Sequence, residues 1–159
     1  MPEVLLTIGY QKRSIDEFVA LALAAGVDVL VDVRETAWSH KPGFSKTSFA
    51  IALEAAGIEY VHAAFAGNPK FLRDSAQNHA DCLSLYAWYL DEHTEVVDTF
   101  EDLVASIFRD GKRAALTCFE RHSDDCHRSI LAERWAARAK GEREVTHLAI
   151  DGCQRLLAN

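Results

Sequence analysis

Val27-Asp28-Val29-Leu30-Val31-Asp32-Val33-Arg34 is the stretch on which the fold turns. Its Val and Leu content is nearly continuous, and Val29-Leu30-Val31 is apolar on both faces of any strand. A strand lying on a wet surface alternates apolar with polar residues, whereas one covered on both sides does not need to. Val27 to Val33 is therefore predicted to be a strand of a parallel sheet with helices above and below it.

The flanking sequence fits that expectation. On the amino-terminal side, Ser14 and Glu17 have the spacing of a capping box, and Gly26 is placed to end the helix they begin. Val4 to Ile8 reads as an earlier strand, ending at Gly9. On the other side, Ser45 is expected to cap a helix ending at Gly57, and Ile58 to His62 reads as a third strand. A long stretch from Ala63 to about Ala80 has the length of a functional lid or of a loop holding a short helix. Helical patterns follow over Asp81 to Asp91 and Val96 to Asp110. Arg113 to Phe119 is a fourth strand, Asp124 to about Lys140 a helix, and Glu144 to Leu148 a fifth strand.

Strands alternating with helices predict a single three-layer α/β domain over residues 1–159, with an open, mainly parallel five-stranded sheet and helices on both faces. The order 3-2-1-4-5 is favoured, because it sets the three motif-bearing strands side by side. The order 2-1-3-4-5 is the alternative. In either, ligands are expected at the carboxyl ends of the strands, where the connections diverge.

The composition narrows the function. The chain has 159 residues, 49% hydrophobic and 26% charged, as a globular domain has. Its net charge of −7, from 17 Lys and Arg against 24 Asp and Glu, opposes non-specific binding of a phosphate backbone. No apolar run approaches the roughly 18 residues of a membrane span, and no basic leader precedes one. A cytoplasmic protein without a membrane or nucleic-acid partner is expected. Its four cysteines are expected to be reduced, with Cys82 and Cys153 as small buried hydrophobes.

Three stretches concentrate the chemistry. Thr7-Ile8-Gly9-Tyr10-Gln11-Lys12-Arg13-Ser14 is a strand end, a turn and a helix start, where backbone amides and Arg13 could hold an anion. An ordinary strand-to-helix turn is the plainer reading. Val31-Asp32-Val33-Arg34 puts an acid and a base on one side of a strand end. Either Asp32 and Arg34 form a structural pair, or Arg34 binds an anion that Asp32 orients or exchanges a proton with. Lys46 at a helix start and Asn68 in Gly67-Asn68-Pro69 join Gly9, Tyr10, Arg13, Arg34 and Arg128 as anion-binding candidates.

The third stretch is Cys118-Phe119-Glu120-Arg121-His122-Ser123-Asp124-Asp125-Cys126-His127-Arg128. Arg128 in the first turn of a helix opposes the helix dipole, so an acid or a bound anion should face it. His127 is placed for acid–base work, with Asp32 and Glu120. Cys118 and Cys126 are expected to lie near each other and to shape or assist the site. A zinc site from these cysteines and a His is weakened by the absence of a paired C-x-x-C spacing, and a thioredoxin-like redox pair by the same gap. A phosphatase-type cysteine needs a shorter loop to its arginine. No G-x-G-x-x-G stretch is present, so no dinucleotide cofactor is expected, and none of any kind is assigned.

Together these stretches resemble the family called domain of unknown function 488. The matching residues are Thr7-Ile8-Gly9, Arg13-Ser14, Val31-Asp32-Val33-Arg34, Phe44-Ser45, Tyr60-Val61-His62 and Gly67-Asn68-Pro69. Cys118-Phe119-Glu120, Cys126-His127-Arg128-Ser129 and His147-Leu148 complete them. Ala37, His40 and Tyr10 depart from the Pro, Arg and His frequent in that family. The resemblance implies a compact α/β fold and a shared polar cluster that includes the two cysteines. It implies no reaction. The reading from the residues is a hydrolase or group transferase for a small anionic substrate, with nucleotide-like compounds among the candidates. The alternatives are a ligand-sensing module without turnover, and a thiol or metal protein using Cys118, Cys126 and His127.

Overall fold

A computed structural model describes residues 1–119 and 126–148 in full, and 149–150 and 154–158 as strand backbone. Glu120, a candidate acid, lies outside the described residues, as does Cys153. The strands are β1 (Glu3–Gly9), β2 (Val29–Asp32), β3 (Glu59–His62), β4 (Ala114–Cys118), β5 (Arg143–Ile150) and β6 (Gln154–Ala158). The helices are α1 (Ile15–Ala24), α2 (Lys46–Ala55), α3 (Lys70–Ser75), α4 (His79–Glu92), α5 (Thr94–Arg109) and α6 (His127–Ala137). A single 3-10 turn covers Ala64–Ala66.

Local chemistry explains several boundaries. The capping box of α1 forms as its spacing predicts, with Ser14 Oγ accepting from Glu17 N and Glu17 Oε1 accepting from Ser14 N. Gly26 leaves α1 at φ +73°, a left-handed conformation that glycine adopts without steric cost. Ser45 stands at the N-cap of α2, yet its hydroxyl makes no cap bond. It instead ties down the preceding loop, accepting from Ser39 N and donating to Ser39 O. In α5 the buried Val96, Val97, Phe100, Val104 and Ile107 recur at helical spacing, which presses one face onto the sheet.

The sheet order is β3-β2-β4-β1-β5-β6. Five strands run parallel, and β6 adds an antiparallel edge that the sequence pattern did not reveal. The favoured order 3-2-1-4-5 is corrected at one place: β4 lies between β2 and β1. Every residue of β4 is buried, and its Ala114 and Ala115 leave room for helices on either side. A strand so covered belongs in the middle of the sheet. The β3-to-β4 connection, with two long helices, carries the chain back past β2 to that position.

Right-handed crossovers then distribute the helices. The chain moves one way through β1, β2 and β3, with α1 and α2 on one face, where Phe18, Leu21, Phe49 and Leu53 meet Leu6, Ile8 and Leu30. It moves the other way through β4 and β5, with α4, α5 and α6 on the opposite face around Tyr86, Phe100, Leu131 and Trp135. The segments leaving β2 and β4 consequently depart to opposite faces. That divergence opens a crevice at the carboxyl ends of two neighbouring strands.

Candidate functional site

The crevice is a cleft of about 500 Å³ lined by Arg34, Glu35 and Thr36 after β2 and by Cys118, Phe119 and His127 around the end of β4. Its far wall comes from Asn68, Arg73, Asn78, His79, Cys82 and Leu83. The long stretch after β3 thus supplies one side of the cleft, and it is well anchored. Tyr86 Oη donates to Ala66 O at 2.7 Å, and the amide of Lys70 donates to Glu35 Oε1 at 3.1 Å. Gly67 passes so near the Glu35 backbone that a Cβ there would sit 2.6 Å from Glu35 Cα.

Asp32 and Arg34 form the structural pair foreseen as one of two readings. Arg34 donates from Nε to Asp32 Oδ1 at 2.8 Å and from Nη2 to Oδ2 at 2.7 Å. Tyr60 Oη donates to Asp32 Oδ2 at 2.5 Å, and Arg34 N to Oδ1 at 3.2 Å. Burial alone would lower the basicity of Arg34, but the hydrogen bonds and charge of Asp32 outweigh it and raise it above the ordinary value. Burial, then the bond to Asp32, raises the Tyr60 hydroxyl as well. The remaining Arg34 Nη1 reaches Tyr10 Oη at 3.2 Å, and the guanidinium lies 5.2 Å from the Tyr10 ring centroid. Arg34 therefore borders the cleft with each of its three guanidinium nitrogens already donating once, to Asp32 or Tyr10.

At the end of β4 three reactive groups meet. Cys118 and Cys126, expected as free thiols, are instead joined as a disulfide, from Cα atoms 7.2 Å apart. Arg128, fully buried in the first turn of α6, points Nη1 at Cys118 Sγ, 3.5 Å away. His127 Nε2 lies 2.8 Å from Val33 O. A carbonyl can only accept, so Nε2 bears the hydrogen and Nδ1 the lone pair. Nδ1 stands 4.0 Å from Cys126 Sγ. Burial pushes the imidazole pKa down to about 4, against the opposing pull of the Val33 bond, so His127 is neutral at neutral pH.

The structure divides the candidates. Arg34, Asn68, Cys118 and His127 line the cleft, and Asp32, Cys126 and Arg128 support them from behind. The other four do not line it. Gly9 pairs in register with Cys118. Tyr10 is buried in an aromatic stack with Phe44, centroids 4.6 Å apart. Arg13 is buried and donates through Nε to Gly9 O at 2.9 Å, bracing the turn. Lys46 is exposed at the start of α2. Gly9, Tyr10 and Arg13 belong to the turn between β1 and α1, and Lys46 to the start of α2, and none of the four is among the residues lining this cleft.

Sequence reasoning passed over Tyr60 as a partner of Asp32, although Tyr60 stands on the strand beside β2. It also placed Cys82 in the core. Cys82 instead is partly exposed in the cleft wall, where Asn68 Nδ2 donates to its sulfur at 3.2 Å. Arg73 forms another part of the wall, 3.2 Å from Glu35 Oε1 with its side chain 47% exposed.

Residues 14–135 match the model of a family described as domain of unknown function DUF488. No curated protein matches the chain. Two crystal structures of a proposed phosphatase (DUF442) from Shewanella putrefaciens CN-32 align with TM-scores of 0.42 and 0.44 and with 17% and 16% identity. These alignments cover 83% and 87% of this chain, which spans 64% and 66% of the length of the other.

Proposed function

This chain belongs to the domain of unknown function DUF488 family, and from that premise we propose that it is a hydrolase or group transferase acting on a small anionic substrate in the cleft between β2 and β4. One observation carries the reading: thiol, imidazole and guanidinium groups from separate segments line a single cleft of about 500 Å³. That volume lies within the roughly 300–1,000 Å³ of small-molecule sites.

The residues divide the work. Arg73 is half exposed, its Nε is held by Asn68 O at 3.1 Å, and its ion pair with Glu35 is the kind that water screens, so its Nη2 can turn to a substrate anion at small cost. Asn68 and Asn78 add amide groups to the same wall. Arg34, held by Asp32, contributes shape and a positive field. Cys118, Cys126 and His127 form the reactive centre, with the lone pair of His127 Nδ1 turned towards the sulfurs. Phe119 is 45% exposed and offers a ring to the cleft, which favours a substrate with its own aromatic part, such as a nucleotide. The net charge of −7 favours a small ligand over a nucleic acid.

Thermal melts in rising sulfate test the anion subsite. Wild-type protein should gain stability beyond what matched ionic strength gives, by mass action. Arg73→Met should lose most of that gain. Equal responses in the two proteins would remove the anion subsite. Turnover is then sought across phosphoesters and nucleotides. Sulfate binding without any turnover would favour the ligand-sensing alternative.

A further inference from the structure

Among the described residues, Cys118, Cys126 and His127 bring two sulfurs and a ring nitrogen within 4.8 Å of one another. Several independent features of this trio concern coordination. The first is the histidine tautomer. Val33 O takes the Nε2 hydrogen at 2.8 Å, so Nδ1 presents its lone pair on the side of Cys126 Sγ, 4.0 Å away. Metal-bound histidines are commonly oriented this way, with the other ring nitrogen donating to a carbonyl or carboxylate. Here the carbonyl belongs to the residue following β2 and is held by the sheet.

The second feature is spacing. Disulfides ordinarily join Cα atoms about 4.4–6.8 Å apart, and Cys118 and Cys126 are 7.2 Å apart. A tetrahedral ion with bonds of about 2.3 Å to sulfur and about 2.0–2.1 Å to nitrogen sets its ligand atoms roughly 3.5–3.8 Å from one another. The Nδ1–Sγ distance of 4.0 Å is within a few tenths of an ångström of that, and reduction of the disulfide frees the two sulfurs to separate. The third feature is charge. Two thiolates with a neutral imidazole bring two negative charges, and Arg128 Nη1 stands 3.5 Å from Cys118 Sγ as a donor to one of them. The fourth is access: Cys118 and His127 both line the cleft.

We propose that, once a thiol reductant has supplied two electrons to open the Cys118–Cys126 disulfide, the two thiolates and His127 bind a thiophilic divalent cation of the zinc class, with its remaining position open to the cleft. Three protein ligands and one open position distinguish catalytic from structural zinc sites. The role of the open position rests on the reading that the cleft holds the substrate. There a cation would polarise a substrate oxygen or acidify a water. Arg73 and the asparagines would then hold the anionic group beside it.

The test uses the full chain, purified in reductant, stripped with chelator and titrated with cobalt(II), which reports thiolate ligation by a charge-transfer absorption. Wild type and Cys82→Ser should each bind one ion with that absorption, and zinc should displace it. Cys126→Ser and His127→Ala should bind at least tenfold more weakly while keeping wild-type circular dichroism. Folded, reduced wild type that shows no thiolate-to-cobalt absorption overturns the proposal, whatever the variants do. So does tight binding that survives unchanged in a folded Cys126→Ser. Reduced chain loaded with zinc and then kept without reductant should still yield four titratable thiols after unfolding and chelation, and two would show that the disulfide re-forms in place of the metal site. Metal binding is read without substrate and the anion subsite by sulfate with Arg73→Met, so each can fail while the other stands.

Discussion

Asp32 is the residue whose environment is most demanding. Its carboxylate is fully buried and receives two guanidinium donors, an amide and the Tyr60 hydroxyl. Asp32→Asn would leave the Arg34 charge buried without compensation, at a cost of about 3–5 kcal/mol. Tyr60→Phe removes one hydrogen bond and keeps the ion pair, so it should cost only about 1–2 kcal/mol. Urea unfolding of both variants decides the matter, and equal losses would mean that the pair contributes little. His127 makes a prediction about pH. Its folded pKa of about 4 lies below the ordinary 6.5, so the unfolded chain binds the proton more readily. Its contribution is complete above about pH 6.5 and is lost as pH falls towards 4. The loss in metal-free protein should be on the order of 2–3 kcal/mol. His127→Gln can still donate to Val33 and should flatten that part of the profile. An unchanged profile would show that His127 does not titrate in this range.

At the scale of elements, the cleft depends on how closely the Gly67 turn approaches the segment after β2. A Cβ at Gly67 would meet Glu35 Cα at 2.6 Å and its amide nitrogen more closely still. Because the obstacle is backbone, no side-chain rotation relieves it. Gly67→Ala should cost about 1–3 kcal/mol. It should also disturb the bonds from Glu35 to Lys70 and Arg73, and so weaken the sulfate response. A variant with wild-type stability and sulfate response would show that the two segments can separate freely. The turn was legible in Gly67-Asn68-Pro69, and a short helix was one of two options for the stretch that follows, but the bounds of α3 were not legible. Six residues are too few to establish a helical period, and Leu72 is the one buried residue among them.

The whole molecule is two apolar cores separated by one sheet. Phe49 belongs to the α1–α2 side and Trp135 to the α4–α6 side, and both are buried. Since each of β1 to β5 contributes to both cores, neither face can unfold while the other keeps its sheet. Phe49→Ala and Trp135→Ala should each lower stability by about 3–5 kcal/mol. Their effects should add, within about 0.5 kcal/mol, because the residues share no contact across the sheet. Denaturation followed by near- and far-ultraviolet circular dichroism should give one coincident transition. Two separated transitions would show that the faces fold independently.

Local pattern was enough for the α/β class, the five parallel strands, most helix ends and the segments that bear the site. Those features arise from residues near one another in the chain: the apolar Val29-Leu30-Val31, the Ser14–Glu17 spacing, the glycine after α1. The approach of Cys118 to Cys126 was foreseen for the same reason, since the two are only eight positions apart. Strand order was not local. Exchanging β1 and β4 leaves both strands buried and both connections right-handed, so the choice rests on how β4 packs between two helical layers. The engagement of Arg34 by Asp32 and Tyr10, of Asp32 by Tyr60, and of His127 by the Val33 carbonyl, depended on that packing as well. Whether a charged group is free to meet a ligand is decided by the partners that distant strands bring to it, and only the tertiary structure supplies them.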